Sequence, residues 1–171
     1  MRLRLRYSAI VTRRSVRFRH LHEWQEEHNT NTGVSDVQPR IHYWSSPSGN
    51  TAALAQKLHT PTHRINGDIG TWTILMFPTY DSIRRDDYIP KQVREWAAVN
   101  SQWIIGVIAC GNRNFGMDFC RGGYDLARCL NIPVLYSCEL MGTPTDVTEI
   151  DTGIRQHWET LIQLRHPTPA T

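Results

Sequence analysis

The chain has 171 residues, of which 40% are hydrophobic and 20% are charged, as in ordinary globular domains. This length corresponds to one average domain, and the composition excludes wholesale disorder, collagen and a coiled coil. No stretch approaches about 18 consecutive apolar residues, so we expect no membrane span. The four cysteines include no CxxC pair, which argues against a disulfide scaffold and a zinc site and favours a reducing, cytoplasmic setting.

Positive charge is concentrated at the N-terminal end of the chain. Residues 1–22 contain seven Arg and no acidic residue, whereas residues 41–171 carry 11 basic and 12 acidic side chains, a net charge of −1. A mitochondrial-type presequence, a basic arm for an anionic surface and an extension outside the fold all stay open, but the lack of an apolar core disfavours a secretory signal. We expect residues 1–40 to be a disordered extension and residues 41–165 to form the domain. The nearly neutral body predicts no nucleic-acid partner.

Strand-like and helix-like segments alternate from Arg40 onward. This alternation is typical of βαβ units around a parallel sheet that is covered by helices on both faces. Five strands predict a flavodoxin-like, doubly wound α/β sheet in the order 2-1-3-4-5. The predicted strands cover residues 41–45, 63–66, 72–77, 103–109 and 133–138, and the predicted helices cover 50–58, 90–99, 117–130 and 145–164.

The loop after the first strand, SSPSGNT at residues 45–51, is rich in hydroxyl and amide donors. In an open α/β sheet, ligands bind at the carboxyl ends of the strands, and the start of the next helix attracts anions. Donors without a Lys suit a phosphate monoester, although an ordinary Ser/Asn helix cap explains the same residues. The chain has neither the GK[ST] of a P-loop nor a GxGxxG fingerprint, which disfavours nucleotide hydrolysis and dinucleotide binding.

The loops after strands 3, 4 and 5 lie at the same predicted edge. Tyr80 can stack on a flat ring or pack locally. The loop at residues 109–116 combines two glycines with two asparagines, so its backbone can approach a heterocycle and its amides can bond the ring edge, with Phe115 as a second wall. Glu139 lies near the same edge and is equally well explained as a surface acid.

These motifs together resemble the NrdI family, whose members are flavodoxin-like FMN proteins that serve class Ib ribonucleotide reductases. The likeness covers about residues 41–160. The matching segments are YWSSPSGNT at 43–51, PTY at 78–80, IPKQVREW at 89–96, GVIACGNRNFG at 106–116 and IPVLYSCELMGTPTDV at 132–147.

The resemblance implies that an FMN phosphate lies in the first loop and that the isoalloxazine lies between the later loops. It implies neither a catalytic residue nor a metal ligand in this chain. The implied phosphate-loop residues are Ser45, Ser46, Ser48, Gly49, Asn50 and Thr51; those bordering the ring are Thr79, Tyr80 and Asp81; those on the opposite side are Cys110, Gly111, Asn112, Asn114, Phe115 and Gly116, with Glu139 at the edge.

The resemblance also implies a partner, the radical-generating subunit of a class Ib ribonucleotide reductase. There the reduced flavin would convert O2 to a superoxide-type oxidant that assembles a dimanganese-tyrosyl radical cofactor, with a flavin- or ferredoxin-type reductase as a further partner. A general flavodoxin-type electron carrier is one alternative, which the nearly neutral body disfavours because ordinary flavodoxins are strongly acidic.

A flavin-free protein that binds the reductase is a second alternative. It is favoured by the glycine-free segment DSIRRDDY at 81–88, where many relatives carry a glycine-rich loop. Cys110 also departs from the expected small Ser or Gly, and it is either an inert buried thiol or a thiol in redox contact with the flavin.

Overall fold

Five parallel strands form one sheet in the order β2-β1-β3-β4-β5. This arrangement confirms the predicted fold class and strand order. The computed structural model describes residues 37–79 and 88–165. The elements are β1 (Ile41–Tyr43), α1 (Asn50–Lys57), β2 (Thr62–Arg64), β3 (Thr73–Pro78), α2 (Lys91–Asn100), β4 (Ile104–Gly111), α3 (Arg121–Leu130), β5 (Val134–Glu139) and α4 (Pro144–Arg165), with 3-10 turns at Ser101–Trp103 and Arg113–Asp118.

The sheet is covered by two helices on each face, because its central strands are apolar on both sides. One face packs against α1 and α4, with Leu54 and Ile154 among the buried side chains. The other face packs against α2 and α3, with Val93 and Leu126 among them. All eight residues of β4 are buried, as expected for the inner strand of a parallel sheet. This three-layer arrangement leaves the strand ends as the edges where loops can form a site.

The helix predicted from Met117 begins later, at Arg121. The intervening residues form a 3-10 turn that Gly116 interrupts with φ 55° and ψ −116°. Cys120 then starts the helix from a left-handed backbone conformation, with φ 60°. The apolar spacing that predicted a continuous helix could not reveal these two local reversals.

The described body begins upstream of β1. Val37 packs against the core, and its carbonyl oxygen accepts a 2.8 Å hydrogen bond from the indole of Trp158 on α4. Residues 1–36, which make up most of the predicted basic extension, lie outside the described residues. Within residues 37–79 and 88–165, no helix combines the length and the apolar character needed to cross a bilayer.

A buried carboxylate joins α4 to the segment that precedes β2. Asp151 is 8% exposed, and its two oxygens accept four hydrogen bonds of 2.8–3.0 Å. The donors are the amide and ring of His59 and the amide and hydroxyl of Thr60. Burial alone would raise the pKa of Asp151, but the hydrogen bonds from these donors outweigh it and lower the pKa below its usual range.

A buried imidazole lies on the opposite face of the sheet. His42 on β1 is 7% exposed and its Nδ1 lies 2.8 Å from the hydroxyl oxygen of Thr73. Its ring packs at centroid distances of 5.4 Å from His63 and 5.3 Å from Trp96. Burial, aided by repulsion from His63 and Arg40, lowers the pKa of His42 to about 4. The ring is therefore neutral in the folded chain at pH 7.

This neutral histidine is expected to weaken the fold in mild acid. An unfolded His binds its proton near pH 6.5, whereas folded His42 binds it near pH 4, so the free energy of unfolding should fall by about 3 kcal/mol between these pH values. Urea titrations at several pH values in this range give the slope of the free energy of unfolding against pH. This slope should be shallower for His42→Gln than for the unmodified chain. The exposed His63→Gln variant is the control, and it should keep most of the slope because burial of His42 remains. An unchanged slope in His42→Gln would contradict this assignment.

Candidate functional site

A cavity of about 410 Å³ opens at the carboxyl edge of the sheet. Its walls come from the loops that follow β1, β3, β4 and β5, the four loops that the sequence singled out. The volume lies in the range of small-molecule and cofactor sites. The lining residues are Ser46, Ser48, Asn50, Thr51, Pro78, Thr79, Cys110, Gly111, Asn112, Phe115 and Leu140.

Some donors of the loop after β1 line this cavity, whereas the Ser45 hydroxyl bonds an amide in the first turn of α1. Gly49 is the N-cap, with φ 77°, a conformation that glycine adopts without strain. The hydroxyl of Ser45 is buried and accepts the amide of Ala52 at 3.2 Å, so Ser45 caps the helix and does not line the cavity. The hydroxyls of Ser46 and Ser48 lie 2.8 Å apart and do line it.

The residues on either side of the loop after β3 both lie against α3. The amide of Thr79 donates to the carbonyl of Cys110 at 2.8 Å, and its hydroxyl accepts the amide of Gly122 at 3.1 Å. A Cβ on Gly122 would collide with the carbonyl oxygen of Tyr88, where the chain returns from this loop. Gly122 therefore allows α3 to approach both ends of the loop. The predicted ring neighbours Tyr80 and Asp81 lie outside the described residues.

Asn112 holds the loop after β4 in a turn. The side-chain oxygen of Asn112 accepts the amide of Asn114 at 2.9 Å, and its carbonyl accepts the amide of Phe115 at 3.0 Å. These bonds bring Phe115 and Asn112 into the cavity lining, whereas Asn114 and Gly116 are exposed and do not line it.

Glu139 clamps the loop after β4 and does not line the cavity. One carboxylate oxygen accepts the amide of Arg113 at 3.3 Å, and the other pairs with its guanidinium at 3.2 Å. The pair is largely exposed, so its contribution to stability is small. The structure therefore places Glu139 at the predicted edge, where its described partner is Arg113.

Two lining residues were not predicted from the sequence. Pro78 ends β3, and Leu140 follows β5 with a left-handed φ of 49°. The amide of Leu140 donates to the carbonyl of Gly111 at 2.8 Å, which holds its side chain at the cavity. The motif at 132–147 contained Leu140, but only the chain reversal after β5 identifies it as a wall.

The cavity has a polar end and an apolar end. Hydroxyl and amide groups of the first loop form the polar end, and Pro78, Phe115 and Leu140 supply apolar surface. No Lys or Arg occurs among the lining residues in the part of the chain that the structure describes. In the same ranges, no group of three or more His, Cys, Asp or Glu side chains is arranged to hold a metal ion.

Three of the four cysteines are buried, and one of them, Cys110, lines the cavity. Cys110 and Cys138 are paired on β4 and β5, and their sulfurs are 3.6 Å apart. Cys120 packs on the other face of the sheet, where its Sγ contacts the carbonyl of Ala109 at 3.2 Å. Burial raises the pKa of Cys120 above the usual thiol range. Cys129 is exposed.

Known proteins match this chain both in sequence and in fold. The family model described as "NrdI Flavodoxin like" matches residues 42–152. A protein NrdI of Erwinia tasmaniensis is 40% identical over 125 residues, covering 68% of this chain and 92% of that protein, and one of Mycobacterium leprae is 38% identical over 131 residues, covering 68% and 94%. The solved structure of a short-chain flavodoxin associated with a non-canonical PDU bacterial microcompartment superposes with a TM-score of 0.52 and 13% identity, covering 73% of this chain and 99% of that one, which shows the shared fold. This chain belongs to the NrdI flavodoxin-like family.

Proposed function

We propose that the chain binds FMN in the cavity at the carboxyl edge and serves as a redox accessory protein for a class Ib ribonucleotide reductase. The observation that carries the proposal is the combination, in one cavity of about 410 Å³, of a donor-rich helix start with the apolar side chains of Pro78, Phe115 and Leu140. Membership of the NrdI family favours FMN as the ligand and the reductase as the partner.

The polar end of the cavity fits a phosphate monoester. The first amides of α1 have no partners within the helix, and its dipole favours an anion at this end. Since Ser45 already accepts the amide of Ala52, we assign phosphate contacts to Ser46, Ser48, Asn50 and Thr51. Neutral donors of this kind bind a dianion through charge-assisted hydrogen bonds.

The apolar end of the cavity fits a flat ring system. Phe115 and Leu140 supply wall area, and Pro78 ends β3 beside them. Asn112 keeps its amide group at the cavity while its oxygen holds the loop, so the amide hydrogens remain available to a ring edge. When bound, FMN supplies one- and two-electron chemistry, including the reduction of O2 to a superoxide-type oxidant. The residues of the chain hold the ring, orient it and limit its contact with water.

The partner surface is assigned to the apolar side chains around the cavity. Met117 is 85% exposed, and Leu140 and Met141 are 39% and 45% exposed, all in the loops after β4 and β5. Exposed apolar groups that share one edge favour protein–protein contact. We infer that the radical-generating subunit contacts this edge, so that the oxidant is delivered directly to its metal site in the cytoplasm.

A visible spectrum of the purified chain is the first test of the proposal. Flavin absorbance that stays with the protein through gel filtration is the expected result, and a colourless protein that takes up no FMN on titration would contradict flavin binding.

The partner is tested by co-purification with the radical-generating subunit. Met117→Glu should weaken the complex because it introduces a charge into the proposed contact. Val99→Glu is the matched control, since Val99 is 64% exposed but lies at the far end of α2, near the opposite edge of the sheet. Equal retention of both variants would contradict the proposed surface, and retention of a different redox partner alone would favour the general electron carrier.

A further inference from the structure

Two neighbouring thiols, one of which lines the cavity, have no task in the proposed function. Cys110 and Cys138 are 1% and 2% exposed, and both belong to the core cluster beneath α1 and α4. Cys110 also lines the cavity, so it is the thiol of the pair nearer to a small reagent that enters the cavity. Cys138 lies behind it, on the adjacent strand.

The backbone already holds these two residues at a distance that a disulfide can span. Cys110 and Cys138 are direct partners in the parallel ladder between β4 and β5. Adjacent strands are about 4.8 Å apart, which lies within the Cα–Cα range of about 4.4–6.8 Å found for disulfides. The sulfurs are 3.6 Å apart, so bond formation requires them to move about 1.5 Å closer, a movement that side-chain rotation can supply.

We propose that Cys110 and Cys138 form a reversible disulfide when a hydroperoxide enters the cavity. The pair is a modification site of the chain itself, and it does not depend on FMN binding.

The two cysteines have different roles in this reaction. The Cys138 thiol donates its hydrogen bond to the sulfur of Cys110, and that bond together with burial raises the pKa of Cys138 above the usual thiol range. Cys110 is also the member of the pair that lines the cavity, whereas Cys138 does not line it. This geometry assigns the first attack to Cys110 and the second step to Cys138.

The reaction balances with one hydroperoxide. The Cys110 sulfur attacks a peroxide oxygen, the O–O bond breaks, and the thiol proton leaves with the departing hydroxyl as water, which produces a sulfenic acid. The Cys138 sulfur then attacks the Cys110 sulfur, forms the S–S bond and expels the second water. Two thiols are oxidised, and one hydrogen peroxide is reduced to two waters.

The other two cysteines provide internal controls. Cys120 Sγ lies 3.2 Å from the carbonyl oxygen of Ala109 and 3.8 Å from that of Cys138, and Cys120 belongs to the opposite core cluster. We expect it to remain a thiol. The exposed Cys129 would form bonds between molecules, so the experiment uses the full chain carrying Cys129→Ser.

The test treats the reduced, FMN-free chain with hydrogen peroxide, alkylates it in denaturant and maps the digest without reduction by mass spectrometry. Loss of two of the three remaining thiols, with one linked peptide pair containing Cys110 and Cys138 and full recovery in dithiothreitol, supports the proposal. In Cys138→Ala, a dimedone adduct on Cys110 supports the assigned order. Alkylation of all three thiols, or a link that includes Cys120, overturns the proposal, and the mapping of the Cys129→Ser chain gives that answer even if Cys138→Ala fails to fold.

Discussion

Riboflavin is expected to bind this chain at least ~100-fold more weakly than FMN, a difference of about 2.7 kcal/mol. Riboflavin lacks only the phosphate, so it keeps the ring contacts and loses those of the first loop. Hydrogen bonds to a charged group contribute about 1.5–3 kcal/mol each, and the lining of the polar end supplies several donors. Fluorescence titration with the two flavins measures the difference, and equal affinities would show that the phosphate does not lie in this loop.

A double substitution in the first loop should remove most of that preference. Thr51 is 1% exposed, so Thr51→Val, which keeps the branched shape, removes the hydroxyl without opening a void. Combined with Asn50→Ala, it removes two donors, each worth about 1.5–3 kcal/mol, and should bring the affinity for FMN close to that for riboflavin while leaving riboflavin binding nearly unchanged.

The control for this pair removes the same chemical groups elsewhere. Asn66 and Thr145 are exposed and do not line the cavity. The double variant Asn66→Ala and Thr145→Ala should bind both flavins as the unmodified chain does. If it loses FMN affinity to the same extent, the effect of the loop variant is not local to the phosphate.

Removing the buried carboxylate of α4 should have the largest effect on stability. Asp151→Ala leaves the amides of His59 and Thr60 and the Thr60 hydroxyl without their acceptor. His59 is exposed, so water can replace its acceptor, whereas the amide and hydroxyl of half-buried Thr60 lose theirs at about 1–3 kcal/mol each. We therefore expect a loss of about 2–4 kcal/mol in the free energy of unfolding. Since a domain of this size is stable by about 5–15 kcal/mol, urea denaturation should show it clearly. Glu159→Ala on the exposed face of α4 is the control and should change little.

The contribution of Asp151 also has a defined pH dependence. Its pKa is lowered in the folded chain, so its stabilisation is fully present above the unfolded value near 3.9 and is lost as the pH falls below it. The unmodified chain and Asp151→Ala should therefore converge in stability in strong acid. A constant difference between them down to the lowest measurable pH would show that the charge is not involved.

Strand order and layering were predictable from the sequence because they depend on patterns that act over whole segments. The apolar run of β4, with a helical pattern on either side, requires a parallel neighbour and a right-handed crossover. Few arrangements of five such units satisfy that rule. The same reasoning predicted which four loops meet, since all of them follow strands that end at one edge.

Individual side chains in those loops were not predictable in the same way. Ser45 and Ser46 are chemically identical neighbours, yet one caps α1 and the other lines the cavity. The difference is set by the turn that ends at Gly49 with φ 77°, a backbone detail that has no periodic signal. Thr79 is similar, because its hydroxyl accepts an amide from α3, forty-three residues later in the chain.

The pairing of Cys110 with Cys138 required the strand register. The ladder between β4 and β5 is irregular between Val107 and Ile108, so counting residues along the two strands does not give the correct partners. A one-residue error would place one sulfur on the opposite face of the sheet. Only the register observed in the structure shows the two thiols side by side.

The backbone conformation of Leu140 is unfavourable for the stability of the fold, whereas its side chain contributes to the ligand cavity. A left-handed conformation costs a leucine roughly 1 kcal/mol that a glycine would avoid, and it is retained here by the hydrogen bond to Gly111. The leucine side chain is nevertheless part of the cavity wall, which a glycine would remove. Directed evolution for heat resistance alone would therefore enrich glycine at position 140, whereas selection that also requires a filled cavity would keep leucine. The identity of the residue at this position thus reports which of the two pressures has acted on the chain.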